Sequence, residues 1–281
     1  MSYRTITPTL KSAIDNTQYQ IEHFSSEVHT DRWQGWNIKG RPDYVTYELL
    51  NYGFKAQLSG EDLQYYRDEI QPNLPWADNH FLERVCGHPI NPGVEWANWP
   101  WGAAANKHRD ANAKFNHNYM ERLWPKHARQ DCLTPEGRIP EDEILNARHQ
   151  GIAWEYGDLR DLVNYLVKEP TTRQAWIPLF FPEDTGFGDG GRKPCTLGYQ
   201  FIVRDKKLHV YYPLRSCDFV RHFRDDIYLA IRLLLWILDE CRKADPDTWN
   251  EVTPGTYTMH CTSLHIFTND WIKLFGKPRG Q

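Results

Sequence analysis

Long apolar runs are missing from this 281-residue chain. Its most apolar stretch, Ile227 to Leu238, is interrupted by Arg232 and is too short to span a bilayer. The opening residues, MSYRTITPTLKSAIDNT, hold no apolar core followed by a cleavage site, so no signal peptide is expected and a cytoplasmic location is. Cysteine is sparse: the six residues at 86, 132, 195, 217, 241 and 261 form no CxxC pair, which argues against a disulfide framework and structural zinc. Positive charge is not in excess either. The net charge is -4 and the basic clusters, Arg204–Lys207 and Lys277–Arg279, are short. No general attraction to nucleic acid follows, although a few arginines could still hold a small phosphorylated ligand. Repeats and low-complexity tracts are absent.

Flat side chains are what the chain has in plenty, with 12 Trp and 15 Tyr. They serve either core packing or a cleft that binds a ring. The 281 residues form one domain by expectation, with an irregular, extended insertion around 57–150 rich in Trp, Pro, Asn and His. Residues 43–56 (DYVTYELLNYGFKA) and 158–168 (DLRDLVNYLVK) are predicted as helices, the second ended by Glu169-Pro170. Ala175–Phe181 is predicted as a strand, and Gly198–Val203 with Leu208–Tyr212 as a hairpin. Asp225–Lys243 is a helix apolar on nearly all sides and therefore buried, and Tyr257–Phe267 is a last strand. Strands and helices mix without a βαβ rhythm, so the fold class is α+β.

Gly186, Gly188 and Gly191 satisfy G-x-G-x-x-G after a predicted strand. Lys193-Pro194-Cys195 and a second strand follow, which leaves no helix N-terminus for a pyrophosphate, so the motif is read as a loop. The six histidines of the middle region (80, 88, 108, 117, 127, 149) share no ligand spacing, and no metal is expected. Cys195 opens an apolar strand, KPCTLGYQFIV, where a cysteine is ordinarily a small core residue. Twenty residues on, Arg215-Ser216-Cys217-Asp218 and His222-Phe223-Arg224-Asp225-Asp226 set polar groups at the threshold of the buried helix, which is costly unless they bind something.

From Tyr156 to Phe267 these residues resemble the thymidylate synthase family and its relatives, the pyrimidine nucleotide hydroxymethylases. GDLRDLVNYLVKEPTTRQ is similar to the helix and arginine segment that reaches the nucleotide phosphate across a dimer; KPCTLGYQFIVRDKKL resembles the nucleophile strand; RSCDFVRHFRDDIYLA resembles RSCDVFLGLPFNIASYA; and PGTYTMHCTSLHIF resembles the closing strand. DYVTYELL resembles the helix with the family's glutamate base, which would be Glu48, its environment set by Tyr44, Val45, Asn51 and Tyr52. The resemblance implies a thymidylate synthase-like α+β fold whose mixed sheet, packed by helices, forms a homodimer interface through one face. It also implies 5,10-methylenetetrahydrofolate as one-carbon co-substrate. Cys195 would be the nucleophile, Arg215 and Ser216 phosphate contacts, Arg173 the arginine shared across the interface, and Asp218 and His265 further substrate contacts.

Departures from the family pattern narrow the substrate. Cys195 is followed by Thr196, as in the phage dCMP hydroxymethylases, where the synthases have His. Asp226 stands where the synthases have the Asn that reads uracil. A carboxyl group accepts from the 4-amino group of cytosine and, when protonated, donates to N3. Gln174 replaces a second phosphate arginine, and Phe267 replaces a Tyr that meets the sugar. The expected activity is dCMP 5-hydroxymethylase, in the host cytoplasm if a phage carries the gene. The alternatives are a CMP hydroxymethylase of nucleoside-antibiotic pathways, a dUMP-directed synthase or hydroxymethylase, and a catalytically silent nucleotide-binding regulatory relative. Trp76 or Trp124, and Tyr156, are open candidates for the aromatic residues of the site.

Overall fold

A computed structural model describes residues 6–33, 36–125, 157–185, 192–276 and 279. The G-x-G-x-x-G glycines, Cys132, Tyr156 and His127 and His149 lie outside these described residues. The sheet has strands β1 (Ser26–Val28), β4 (Thr46–Gln57), β5 (Trp176–Pro178), β6 (Gly198–Arg204), β7 (Lys207–Asp218) and β8 (Thr253–Phe267). Their order is β1-β4-β8-β7-β6-β5, antiparallel except for the parallel β7–β8 pair. A small separate ribbon pairs β2 (Arg32–Trp33) with β3 (Trp36–Asn37). The helices are α1 (Leu10–Phe24), α2 (Leu63–Ile70), α3 (Trp76–Arg84), α4 (Gly102–Asn106), α5 (Tyr119–Leu123), α6 (Leu159–Lys168), α7 (Phe223–Ala244), α8 (Pro246–Trp249) and α9 (Thr268–Phe275). This is the α+β architecture that the element pattern predicts.

A parallel pair needs a crossover, and α7 supplies it. Ile227, Ile231, Leu234 and Leu238 are wholly buried along it, so the apolar sequence of α7 fills the space above the sheet. The β6–β7 hairpin turns through Asp205 and Lys206, both at positive φ (52° and 55°), a turn that matches the twist of its strands. Helix α6 starts at Asp158, whose carboxylate accepts from the backbone of Arg160 and Asp161, and it ends before Pro170 as the sequence predicts.

Residues 43–56 are not a helix. A short 3-10 turn covers Pro42–Tyr44 and is followed by the twelve-residue strand β4. β4 pairs with β8 from Thr46–Phe267 to Gln57–Thr256, and this long ladder overrides the local spacing that suggested a helix. Thr46, Tyr47, Tyr52 and Phe54 favour a strand, and Gly53 disfavours a helix interior. Glu48 consequently has cross-strand neighbours rather than helical ones. The strand expected over 175–181 is confined to Trp176–Pro178, while the hairpin and last strand extend beyond their predicted ends. The described part of the middle region is also less irregular than expected, since α2, α3, α4 and α5 lie in it.

Candidate active site

One face of the sheet carries a polar row in an otherwise apolar surround. Asp218 of β7, His265 of β8 and Glu48 of β4 are partners in register, and Ser216 pairs with Ser263 in the adjoining row. Partners in register project to the same face, so these side chains converge. They line a cavity of about 540 Å³ together with Cys195, Arg215 and the indoles of Trp33, Trp99 and Trp101. Among the residues expected from the sequence, Cys195, Glu48, Arg215, Ser216, Asp218 and His265 meet here. Asp226 and Arg173 do not line this cavity.

Cys195 sits on the bend before β6. Its backbone N–H and that of Thr196 both donate to the Tyr119 hydroxyl at 3.2 Å, and Thr196 Oγ1 meets the Tyr212 hydroxyl at 2.8 Å. The Sγ lies 3.5 Å from Ser216 Oγ and 3.9 Å from Arg215 Nη2. Arg215 is anchored by donating to the carbonyls of Pro194 (2.7 Å) and Lys193 (2.8 Å) and to Ser216 Oγ (3.3 Å). A half-buried thiol beside a guanidinium and a hydroxyl is an arrangement suited to nucleophilic chemistry. Glu48 is half-buried and accepts a hydrogen bond from the Ser263 hydroxyl.

Asp218 is buried and caps the turn into α7 by accepting from the N–H groups of Val220 (3.0 Å) and Arg221 (3.1 Å). Burial raises its carboxyl, while His265 and Arg221 pull it down. Asp226 lies in the first turn of α7 and takes a hydrogen bond from Cys217 Sγ at 3.6 Å. Burial pushes its carboxyl up to about 7; Arg84 opposes this and Asp225 adds to it. Tyr119 is within electrostatic reach of both Cys195 and Asp226, and burial together with these two neighbours raises its hydroxyl. His222 stacks on Trp99 (4.8 Å, 21°) in the cavity wall, and burial, with Arg192 and Arg221, drives its ring down to about 3, which leaves it neutral.

The sequence reading left the aromatic residues open, and neither Trp76 nor Trp124 reaches the cavity. Trp76 stacks on His80 in the core, and Trp124 donates to the Arg84 carbonyl. Trp33, Trp99, Trp101, Tyr119 and Arg192 escaped the sequence reading, which has His222 only as one of the polar groups at the head of the buried helix. Only the abundance of Trp pointed their way. Arg173 sits in a separate groove with Gln174 and Arg204 at the far edge of the sheet. Among the described residues no group of three His, Cys, Asp or Glu side chains is placed to hold a metal ion.

No family model matches the chain. Two archaeal proteins, each named "Putative thymidylate synthase", are similar to it in sequence. The one from Methanosarcina barkeri is 30% identical over 119 residues, 40% of this chain and 48% of the relative, so the match spans about half of that protein's length. The one from Methanococcoides burtonii is 29% identical over 167 residues, 58% of this chain and 68% of the relative. Among solved structures, the thermostable thymidylate synthase A of Bacillus subtilis superposes with a TM-score of 0.61 at 16% identity, covering 95% of this chain and 83% of that one. The mixed sheet and its helices therefore form a thymidylate synthase-like fold.

Proposed function

We propose that the protein is a dCMP 5-hydroxymethylase that moves a one-carbon unit from 5,10-methylenetetrahydrofolate to C5 of the cytosine ring and completes it with water. The observation that carries this reading is the buried Asp226 carboxyl, which does not itself line the cavity but takes a hydrogen bond from Cys217, next to the cavity residue Ser216, and which burial holds near 7. At neutral pH it can give up a proton to cytosine N3 and accept from the 4-amino group, whereas an amide can hydrogen-bond those two atoms but has no acidic proton to transfer. The similarity to proteins named as thymidylate synthases supports the wider class, one-carbon transfer to a pyrimidine nucleotide.

Cytosine C5 is a weak nucleophile until something adds to C6. In the proposed reaction the Cys195 thiolate forms a bond to C6, and Asp226 supplies the proton at N3 that offsets the charge pushed onto the ring. Arg215 and Ser216 hold the phosphate, and His265 the sugar. C5 then bonds to the one-carbon unit of the donor; loss of the C5 proton and breaking of the carbon–nitrogen bond, with tetrahydrofolate as the leaving group, give an exocyclic methylene. Water adds to the resulting exocyclic carbon, polarised by Glu48 from its place on β4, and the ring expels the thiolate. The indoles of Trp33, Trp99 and Trp101 offer flat walls for the two heterocycles.

Release of tritium from C5 of labelled dCMP, CMP and dUMP, with the folate donor present, tests the reading. Release from dCMP, a hydroxymethyl product and tetrahydrofolate are expected. Preferential release from dUMP with a methyl product and rising dihydrofolate absorbance would make the protein a thymidylate synthase instead.

A further inference from the structure

The cavity holds more positive charge than its own carboxylates balance. Among the described residues, Arg32, Arg192 and Lys193 on its wall have no carboxylate partner, and Arg215 donates to carbonyls and a hydroxyl. Arg221 is different, being committed to Asp218 and Asp270. Arg192 and Arg215 are close enough to repel. Burial lowers the Arg192 guanidinium from its ordinary value, Cys195 and Tyr119 work against that, and Arg215 adds to it. Two guanidiniums sharing a half-buried cavity repel one another, and an anion between them removes that cost.

Arg192 is also held in place. Its carbonyl accepts from Asn116 Nδ2 at 2.9 Å and from the His117 ring at 3.1 Å, and its guanidinium lies 6.0 Å from the centre of the Phe115 ring. Burial with Arg192 and Arg122 nearby keeps His117 neutral, down at about 3, so its Nδ1–H is free to be the donor. The same segment carries Tyr119, whose hydroxyl takes the Cys195 and Thr196 N–H groups. Residues 115–119 thus set the cation and the nucleophile bend relative to each other. At the far edge of the sheet, Gln174 accepts from the Tyr165 hydroxyl and brings no charge.

We propose that Arg192 is a phosphate ligand of this cavity, gripping a phosphomonoester dianion together with Arg215. The ligand class is a nucleoside monophosphate, so the assignment rests on the nucleotide reading of the site. A guanidinium placed beside another meets two oxygens of a dianion with directed, charge-assisted hydrogen bonds. The Asn116–His117 grip makes the middle region a support for phosphate binding.

Calorimetric titration of the full-length protein with dCMP, deoxycytidine and inorganic phosphate, without folate, tests the assignment. Arg192→Gln should weaken dCMP and inorganic phosphate by about ten- to a hundredfold and leave deoxycytidine unchanged. Arg192→Lys should recover part of that loss, since the charge returns without the fork. Asn116 is exposed, so Asn116→Ala should fold and weaken phosphate binding by a smaller factor. An Arg192→Gln protein that binds dCMP as well as the parent overturns the proposal, and so does an equal loss of dCMP and deoxycytidine. Should the nucleotide reading itself fail, the parent would not prefer dCMP to inorganic phosphate, yet the loss of phosphate in Arg192→Gln would persist.

Discussion

Replacing the Cys195 thiol with a hydroxyl keeps the shape of the bend and removes its nucleophile. Cys195→Ser should abolish turnover and the exchange of the C5 proton while its melting temperature stays close to the parent's, because an alcohol is barely ionised at neutral pH. Substantial proton exchange in that protein would take Cys195 out of the mechanism. In the proposed reaction Asp226 reads the base. Asp226→Asn should move the ratio of kcat/KM for dCMP over dUMP toward dUMP by about ten- to a hundredfold, because the amide matches uracil's N3–H and O4 and has no acidic proton to give cytosine N3. In that reaction the acid form of Asp226 is the donor, and its folded-state value of about 7 lies above the ordinary carboxyl range. Activity on dCMP should therefore fall as pH rises through about 7 in the parent, and that limb should vanish in Asp226→Asn. An unchanged substrate ratio would leave Asp226 a residue of the first turn of α7 only.

Away from the cavity, elements are joined by buried charge as well as by the sheet ladder. Arg122 of α5 makes a two-point ion pair with Asp184, at 2.5 and 2.9 Å, and donates to the Leu179 carbonyl at 2.8 Å. Both partners are buried, so removing one strands the other without water. Arg122→Met should cost about 3 kcal/mol in urea unfolding, and adding Asp184→Leu should return much of it. Equal stability of the single and double variants would show that the pair contributes no coupling. Among the elements, β4 is where sequence reasoning went astray. Tyr44, Val45, Glu48, Asn51 and Tyr52 do fall on one helical face, but β8 offered a complete ladder, and short-range spacing carries no information about a partner two hundred residues away. Glu48 still reached the cavity, on a strand face instead of a helix face.

At the scale of the whole molecule, Arg173 is the test of assembly. It lies at the edge of the sheet in its own groove, away from the cavity of the same chain. In the proposed homodimer it serves the neighbouring subunit's phosphate. Arg173→Ala and Cys195→Ser should each be inactive alone, and mixing them should restore activity through hybrid dimers that contain one intact site. Mixed samples that stay inactive after subunit exchange, checked by native mass spectrometry, would remove the shared arginine. Among the described residues no helix is long and apolar enough to cross a membrane.

The residues of the second half were legible because their chemistry is local. Cys195 after a proline, Arg215 to Asp218 in a run, and an apolar stretch from Ile227 with carboxylates at its head are visible without a partner. The hairpin was legible for the same reason, since a two-residue turn joins its strands. Tertiary structure alone decided what meets across the sheet. It set Glu48 beside His265, put Trp33 and Trp99 in one wall, and brought the loop at 116–119 onto the bend at Cys195. It also separated Arg173 from the cavity and enclosed the Asp226 carboxyl until it titrates near neutrality. Burial and non-local pairing are properties of the packed chain, and the order of residues along it does not contain them until the sheet has closed.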